Sequence, residues 1–218
     1  MSKLAPAQFG FDFSARQTDS ITPRVKRIPL PDADVLLFSE CFGAEEGARI
    51  FDRLLSEIHW KQDYLTFYGR ERALPRLTAW YGDRGRNYTY SHISMKPNPW
   101  TELLLMIKAR VEAASGAEYN SVLLNLYRSG ADGVSWHQDN EPELGEGPII
   151  ASVSFGATRI FQMRHLTRQD IPRVDISLFD GSLLVMRGST QSFWQHRIPK
   201  TQKAVGARVN LTFRHIHT

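Results

Sequence analysis

From Ser121 to the C-terminus, apolar and polar residues alternate in short runs broken by turn residues. Upstream, the apolar positions recur at helical spacing. Ile50, Phe51, Leu54, Leu55 and Ile58 share one helical stripe and predict a supporting helix from about Ala44 to His59. Leu103, Leu104, Ile107 and Val111 predict a second helix, with Asn98 as its cap, Pro99 as its first residue and Gly116 at its end. Val35–Phe38 reads as a short strand. Asp180-Gly181, between Ile176–Leu178 and Leu183–Met186, reads as the turn of a hairpin. Many short strands after a helical start predict an α+β, mostly β fold, a sandwich or jelly roll with helices packed on one face. Residues 1–25 lack sustained periodicity and are expected to form an extension. Residues 26–218 are expected to form a single domain with its strand-rich core at about 120–218.

Composition narrows the classes. A chain of 218 residues with 42% hydrophobic content can bury one sizeable core. Its net charge of +4 mildly favours a polyanionic partner but does not decide for one. The lone Cys41 excludes an intrachain disulfide and any thiolate metal cluster, and agrees with a reducing compartment. The N-terminus lacks a basic-then-apolar signal pattern, and the longest strongly apolar run, Leu103–Ile107, is too short for a bilayer. A monomeric, cytoplasmic protein (nuclear in a eukaryote) with no membrane partner is expected.

The chemistry centres on Trp136-His137-Gln138-Asp139-Asn140-Glu141. On extended backbone, residues two apart point the same way, so His137 and Asp139 can reach one ion together. With His196 from the later run Phe193–Ile198, they make a His-x-Asp…His set of the kind that holds non-haem Fe(II) and leaves positions open. Alone the signal is weak, because a lone histidine in a strand is more often packed or solvated. The last strand strengthens it. In Arg208–Arg214, Val209, Leu211 and Phe213 lie on one face and Arg208, Asn210, Thr212 and Arg214 on the other. The plain reading is a solvated polar face. Two arginines framing two hydrogen-bonding side chains also make a cradle for a dicarboxylate, which guanidinium groups grip bidentately. Asn125 and Tyr127 supply a second polar pair on an otherwise apolar strand. Iron and dicarboxylate together predict an oxygenase that uses Fe(II), 2-oxoglutarate and O2.

Between the predicted helices, Tyr64 to His92 interleaves Tyr64, Phe67, Tyr68, Trp80, Tyr81, Tyr88 and Tyr90 with Arg70, Arg72, Arg76, Arg84 and Arg86. Most of these fit two hairpins with cross-strand aromatic pairs and solvated arginines. Beside an iron site, the same mixture also suits a nucleic acid, since arginines hold phosphates and rings stack on bases.

Asn125-Leu126-Tyr127, His137-x-Asp139, His196 and Arg208-x-Asn210-x-Thr212-Phe213-Arg214 resemble the AlkB family of Fe(II)/2-oxoglutarate nucleic-acid demethylases. Pro75-Arg76, Trp80–Asp83, Tyr88–Ser91 and Ala151–Gly156 resemble more narrowly its branch of animal DNA- and RNA-repair homologues. The resemblance implies a double-stranded β-helix (jelly roll) core with supporting helices and an N-terminal nucleotide-recognition lid at about 60–95. It implies oxidative demethylation of N-alkylated bases in DNA, with RNA as a further candidate, releasing formaldehyde, succinate and CO2. It places the 2-oxo acid end of the co-substrate near Arg214 and Asn125, and its far carboxylate on Arg208 and Tyr127. Tyr90 would clamp the target base against His137, Tyr68 and Tyr88 would line the pocket, and Arg76 would meet the base or its phosphate.

One position departs from the family. Relatives commonly carry an acid directly after the metal aspartate, where this chain has Asn140, with Glu141 next. An amide supplies no charge for a cationic base, so a preference for 1-methyladenine and 3-methylcytosine is in question, and neutral etheno adducts come into view. The alternatives are a 2-oxoglutarate-dependent hydroxylase of a protein or small molecule, which the basic aromatic stretch disfavours, and a non-catalytic reader, which would need no open iron positions. His59, His92, His165, His215 and His217 are expected to be solvated or hydrogen-bonded. Arg159, Arg164, Arg168, Lys200 and Lys203 read as surface charge or further phosphate contacts.

Overall fold

The computed structural model describes residues 24–67, 70–85, 88–90, 93–95 and 97–217. In chain order the elements begin with β1 (Val25–Ile28), β2 (Asp34–Phe38), α1 (Ala44–Glu57), β3 (Tyr64–Phe67), β4 (Arg70–Ala73), β5 (Leu77–Gly82), β6 (Tyr88–Tyr90) and β7 (Ile93–Met95). They continue with α2 (Glu102–Ser115), β8 (Ser121–Tyr127), β9 (Val134–His137), β10 (Ile150–Gly156), β11 (Arg159–His165) and β12 (Val174–Leu178). The last are β13 (Leu183–Arg187), α3 (Thr190–Phe193), β14 (Trp194–Ile198) and β15 (Arg208–Arg214).

A seven-stranded sheet in the order β1-β2-β13-β10-β15-β8-β5 faces a four-stranded sheet in the order β12-β11-β14-β9. This is the jelly-roll core expected from the run of short strands. One apolar cluster, with Ile50, Leu54, Leu104, Ile107, Leu211 and Phe213, packs the helices onto the outside of the larger sheet. A second, with Leu123, Phe161, Met163, Met186 and Trp194, fills the space between the sheets. The stripes predicted for both helices are buried, except that Phe51 is half-buried against the core and Leu55 stays 38% exposed. β15 is an interior strand, and all seven of its residues are buried. Its apolar face packs under the helices and its polar face looks between the sheets, so the solvated-face reading does not hold.

Two local expectations need correction. Helix α2 begins after Thr101, whose hydroxyl accepts from the Leu104 amide at 3.2 Å. Asn98 is no cap, because its amide side chain donates to the Trp80 carbonyl at 3.0 Å and its backbone bridges Tyr81 at the edge of β5. Gly116 does end the helix, at φ 70°. Asp180-Gly181 is a turn but not that of a hairpin, since β12 and β13 lie in different sheets. The turn is a corner. Asp180 Oδ1 accepts from the Gly156 amide, and a Cβ on Gly181 would come within 2.2 Å of the Phe42 carbonyl oxygen.

β3 pairs with β4, and β6 with β7, as two separate two-stranded ribbons outside the main sheets. Trp80 and Tyr81 do not belong to them: both sit on β5 with at most 2% exposure and serve the core. Trp100 is also structural, stacked on Phe213 with its indole N–H donated to Asp83.

Candidate active site

β9 and β14 pair with His137 opposite His196, which brings the imidazole centroids to 4.3 Å in an edge-on arrangement. Asp139 follows just beyond the end of β9, and one ligand atom from each of the three residues lies within 4.8 Å of the others. His137 Nδ1 lies 2.8 Å from the Ser135 carbonyl oxygen, a contact that fixes the ring's orientation. The His196 ring stacks on Phe161. Asp139 is held twice, by Arg214 Nη2 donating to Oδ2 at 2.9 Å and by its own amide donating to Gln191 Oε1 at 3.0 Å.

Electrostatics prepare the same set. Burial holds His137 below its ordinary value, and burial together with the neighbouring His137 pushes His196 down to about 3. Both rings are therefore neutral donors at physiological pH. Burial alone would raise the Asp139 carboxyl, but Arg214 and the two imidazoles outweigh it and hold the group below the usual carboxylate range. Asp139 Oδ1 and His196 Nδ1 are buried with no hydrogen-bond partner among the described residues. Two neutral nitrogens, one anionic oxygen and no sulfur suit Fe(II) and leave room for further ligands. The residues fit the metal.

Next to this cluster, the polar face of β15 lines an enclosed cavity with Asn125 and Tyr127 of β8. Registry puts Tyr127 opposite Arg208 and Asn125 opposite Asn210. Arg208 Nη2 donates to Ser154 Oγ at 2.9 Å, and its guanidinium carbon lies 5.2 Å from the Tyr127 ring centroid. Its Nε and Nη1 are buried without a hydrogen-bond partner among the described residues. Burial lowers the Arg208 pKa to about 10, with the positive charge of Arg159 acting in the same direction. A buried guanidinium with two idle donors fits a carboxylate, so the cavity fits the far end of 2-oxoglutarate. Asn210 accepts from Thr212 Oγ1 and donates to Ser152 Oγ, shaping the floor. Arg214 stands at the metal end through Asp139, and Asn125 accepts from Arg76 Nε at 2.8 Å.

His137 also lines a groove of about 530 Å³, together with Leu65, Arg72, Pro75, Arg76 and Trp136. Arg76, expected to contact a base or phosphate, is only 4% exposed and ties this groove to the cavity through Asn125. Asn140 is exposed and Glu141 half-buried, just before a single 3-10 turn, Pro142–Leu144. Tyr68 and His92 lie outside the described residues, as do the side chains of Tyr88 and Tyr90 on β6.

Gln191 of α3, buried and fixing Asp139, was missed because Ser189-Thr190-Gln191-Ser192 carries no periodic signal. Ser152 and Ser154, alternate polar residues in the apolar run of β10, could have been found by the reasoning that found Asn125 and Tyr127. Arg159 is not surface charge: it is 3% exposed and donates to the carbonyls of Ser129, Asp132 and Pro199. Arg168 is paired with Asp170. Among the histidines outside the cluster, His165 is buried against Asp32, while His59, His215 and His217 are exposed.

The 2OG-Fe(II) oxygenase superfamily matches residues 34–214. The alpha-ketoglutarate-dependent dioxygenase alkB homolog 3 of Homo sapiens is 44% identical over 191 residues, covering 84% of this chain and 66% of that protein. Its Bos taurus counterpart is 46% identical over 186 residues, covering 79% and 63%. The Homo sapiens DNA oxidative demethylase ALKBH2 is 38% identical over 188 residues, covering 82% and 72%. The chain thus spans slightly less than two thirds of the length of its alkB homolog 3 relatives. The structure of OsALKBH1 superposes with a TM-score of 0.62 at 17% identity, covering 88% of this chain and 99% of that one, and so shares the fold. A match that runs from β2 to the last residue of β15 takes in both sheets and every residue of the cluster and cavity, and the chain belongs to the 2OG-Fe(II) oxygenase superfamily and, within it, to the AlkB family.

Proposed function

We propose that this chain oxidatively dealkylates N-alkylated bases of DNA, with RNA as a further candidate substrate and formaldehyde, succinate and CO2 as the products from methylated bases. The observation that carries this reading is the placement of His137, which belongs at once to the three-residue cluster, to the polar cavity and to the groove. A group entering by the groove would reach the cluster at His137. The names of the relatives support the same reading.

His137, Asp139 and His196 would hold Fe(II). Arg208 and Tyr127 would receive the far carboxylate of 2-oxoglutarate, with Arg214 and Asn125 toward its 2-oxo acid end. Bound there, the pair would supply oxidation of a substrate C–H bond by dioxygen. The chain's part is geometry and dryness. Leu123, Phe161, Met186 and Ile198 wall the cavity with apolar surface, while Gln191 holds the Asp139 backbone amide and Arg214 its carboxylate. Arg76 stands between groove and cavity with its charge buried, so a base placed against His137 faces a positive neighbour on one side and the neutral, exposed Asn140 near the other ligand. That environment does not single out cationic lesions, and neutral adducts belong to the proposed range. The test is mass spectrometry of methylated oligonucleotides incubated with protein, Fe(II) and 2-oxoglutarate. The expected result is loss of the methyl group with formaldehyde and succinate formed in equal amounts. Succinate release stimulated by a protein or small molecule, with every methylated base left intact, would overturn the reading.

A further inference from the structure

Exposed arginines on most of the described surface are answered by acids: Arg53 by Glu57, Arg110 by Glu46, Arg128 by Asp132, Arg168 by Asp170 and Arg173 by Asp175. Around Trp136 the pattern changes. The guanidinium carbons of Arg164 and Arg197 lie 4.4 Å and 4.5 Å from the Trp136 ring centroid, and neither forms an ion pair among the described residues. Their hydrogen bonds go to neutral amides instead. Arg164 donates through Nε and Nη2 to Gln195 Oε1, and Arg197 through Nε to Gln162 Oε1. The cross-strand pairs Gln162–Arg197 and Arg164–Gln195 of β11 and β14 repeat this arrangement one step apart on the outer face of the smaller sheet.

Such packing orients a guanidinium without neutralising it. An aromatic ring holds the plane and an amide oxygen fixes its rotation, while in-plane N–H groups not used on the glutamines stay available to an outside acceptor. A surface built only for stability would more readily have matched these arginines with carboxylates. Position adds to the case. Trp136 immediately precedes His137 and lines the groove. Arg197 and Lys200 line a second depression that shares Pro75, Gly133, Val134 and Ser135 with that groove. Exposed Arg72 also lines the groove. Arg72, Arg197 and Lys200 therefore border these adjoining depressions, and Arg164 stands beside them in contact with Trp136.

We propose that Arg164 and Arg197, held in place by Trp136, bind phosphates of the nucleic-acid strand that flank the base under attack. This rests on the proposed function, whose substrate is a polyanion. Planar, preorientated guanidinium groups match phosphate oxygens bidentately, and the contact is independent of which base is alkylated. Trp136 is here a positioning residue.

The test is binding of a short fluorescent oligonucleotide carrying one 1-methyladenine to the Mn(II)- and 2-oxoglutarate-loaded protein across a salt series. Each phosphate contact on a single strand contributes about 0.7 to the slope of log affinity against log salt, so Arg164→Gln with Arg197→Gln should make the slope shallower by about 1.4. At about 0.15 M salt the same relation gives roughly fourfold weaker binding per arginine, with an equal loss for an unmodified oligonucleotide. Arg→Lys at both positions should restore most of the slope, because the charges return. Trp136→Leu, which frees both arginines but keeps their charge, should weaken binding while leaving most of the slope, and Trp136→Phe should change neither. Wild-type binding with a slope unaltered by the double substitution would overturn the proposal, as would equal competition by a polyglutamate peptide of matched charge. Failure of the wild-type protein to bind or demethylate any oligonucleotide would instead overturn the proposed function.

Discussion

Replacing Arg208 with methionine separates the cost of its buried charge from the use of that charge. Burial brings its pKa down to about 10. A displacement of that size corresponds to about 3 kcal/mol by which the folded protein disfavours the charged side chain. Methionine removes this cost and fills most of the same space. Against it stand the loss of the bond to Ser154 Oγ, about 1 kcal/mol, and of the contact with the Tyr127 ring, about 1 kcal/mol. The ligand-free Arg208→Met protein should therefore be as stable as the wild type or more stable by about 1 kcal/mol. Ligand binding should respond in the opposite direction. The two idle donors, Nε and Nη1, can each make a charge-assisted bond of about 1.5–3 kcal/mol to a carboxylate, so affinity for 2-oxoglutarate should fall about a hundredfold or more. Denaturant unfolding of the ligand-free protein and calorimetric titration of the Mn(II)-loaded protein read the two effects without turnover. Destabilisation beyond about 2 kcal/mol, or affinity unchanged within about threefold, would refute the assignment of Arg208 as a ligand charge tolerated at a cost to the fold.

The remaining predictions address other parts of the site and the core. Arg214→Met leaves the buried Asp139 carboxylate without its cation, and should destabilise the metal-free protein by about 3–5 kcal/mol. Mn(II) should restore more stability to this variant than to the wild type, and equal metal-induced shifts in melting temperature would contradict the pairing. Burial pushes the Cys41 thiol up to about 11 from its ordinary 9.0, with Arg110 opposing. The unfolded thiol ionises first, so the contribution is present below pH 9 and lost as pH rises toward 11, while Cys41 should resist alkylation until denaturant is added. Asn140→Asp should raise the demethylation rate of cationic 1-methyladenine and 3-methylcytosine relative to neutral ethenoadenine, and an unmoved ratio would show that this position does not face the base.

Local periodicity made much of this molecule legible. The stripes of α1 and α2, the alternation of Arg208–Arg214 and the spacing of His137 and Asp139 follow from geometry within one element, where sequence distance and spatial distance agree. What escaped depends on neighbours remote in sequence. Asp180-Gly181 carries a strong turn signal, but the partner of the following strand is set by burial. β13 fits between β10 and β2 of the larger sheet, so the chain crosses between sheets at the turn. Asn98-Pro99 has the composition of a helix start, yet the amide of Asn98 is spent on the Trp80 carbonyl and Thr101 takes over the cap. Arg159 looks like any charged residue in a strand until the loops at Ser129, Asp132 and Pro199 bring three carbonyls to it. Gln191 has meaning only through Asp139, 52 residues away.

The two sheets divide the work, and that division explains why one strand could carry so much of the inference. The smaller sheet supplies both imidazoles from β9 and β14, while the larger supplies the cavity from β8, β10 and β15. Asp139 and Arg214 join the two by an ion pair between side chains that are each at most 3% exposed. A carboxylate that must remain charged in the dark of the core needs a partner, and placing that partner on the cavity strand couples the metal end to the co-substrate end through one contact. Neither sheet could be optimised alone: Asn210 and Thr212 are satisfied by β10 and by each other, but Arg214 needs the charge that the smaller sheet's side presents. The parts that would decide which base is read, the two ribbons and Asn140, lie outside this paired core. They can vary without disturbing the ion pair, which is the physical reason that family membership is far easier to read in this chain than substrate.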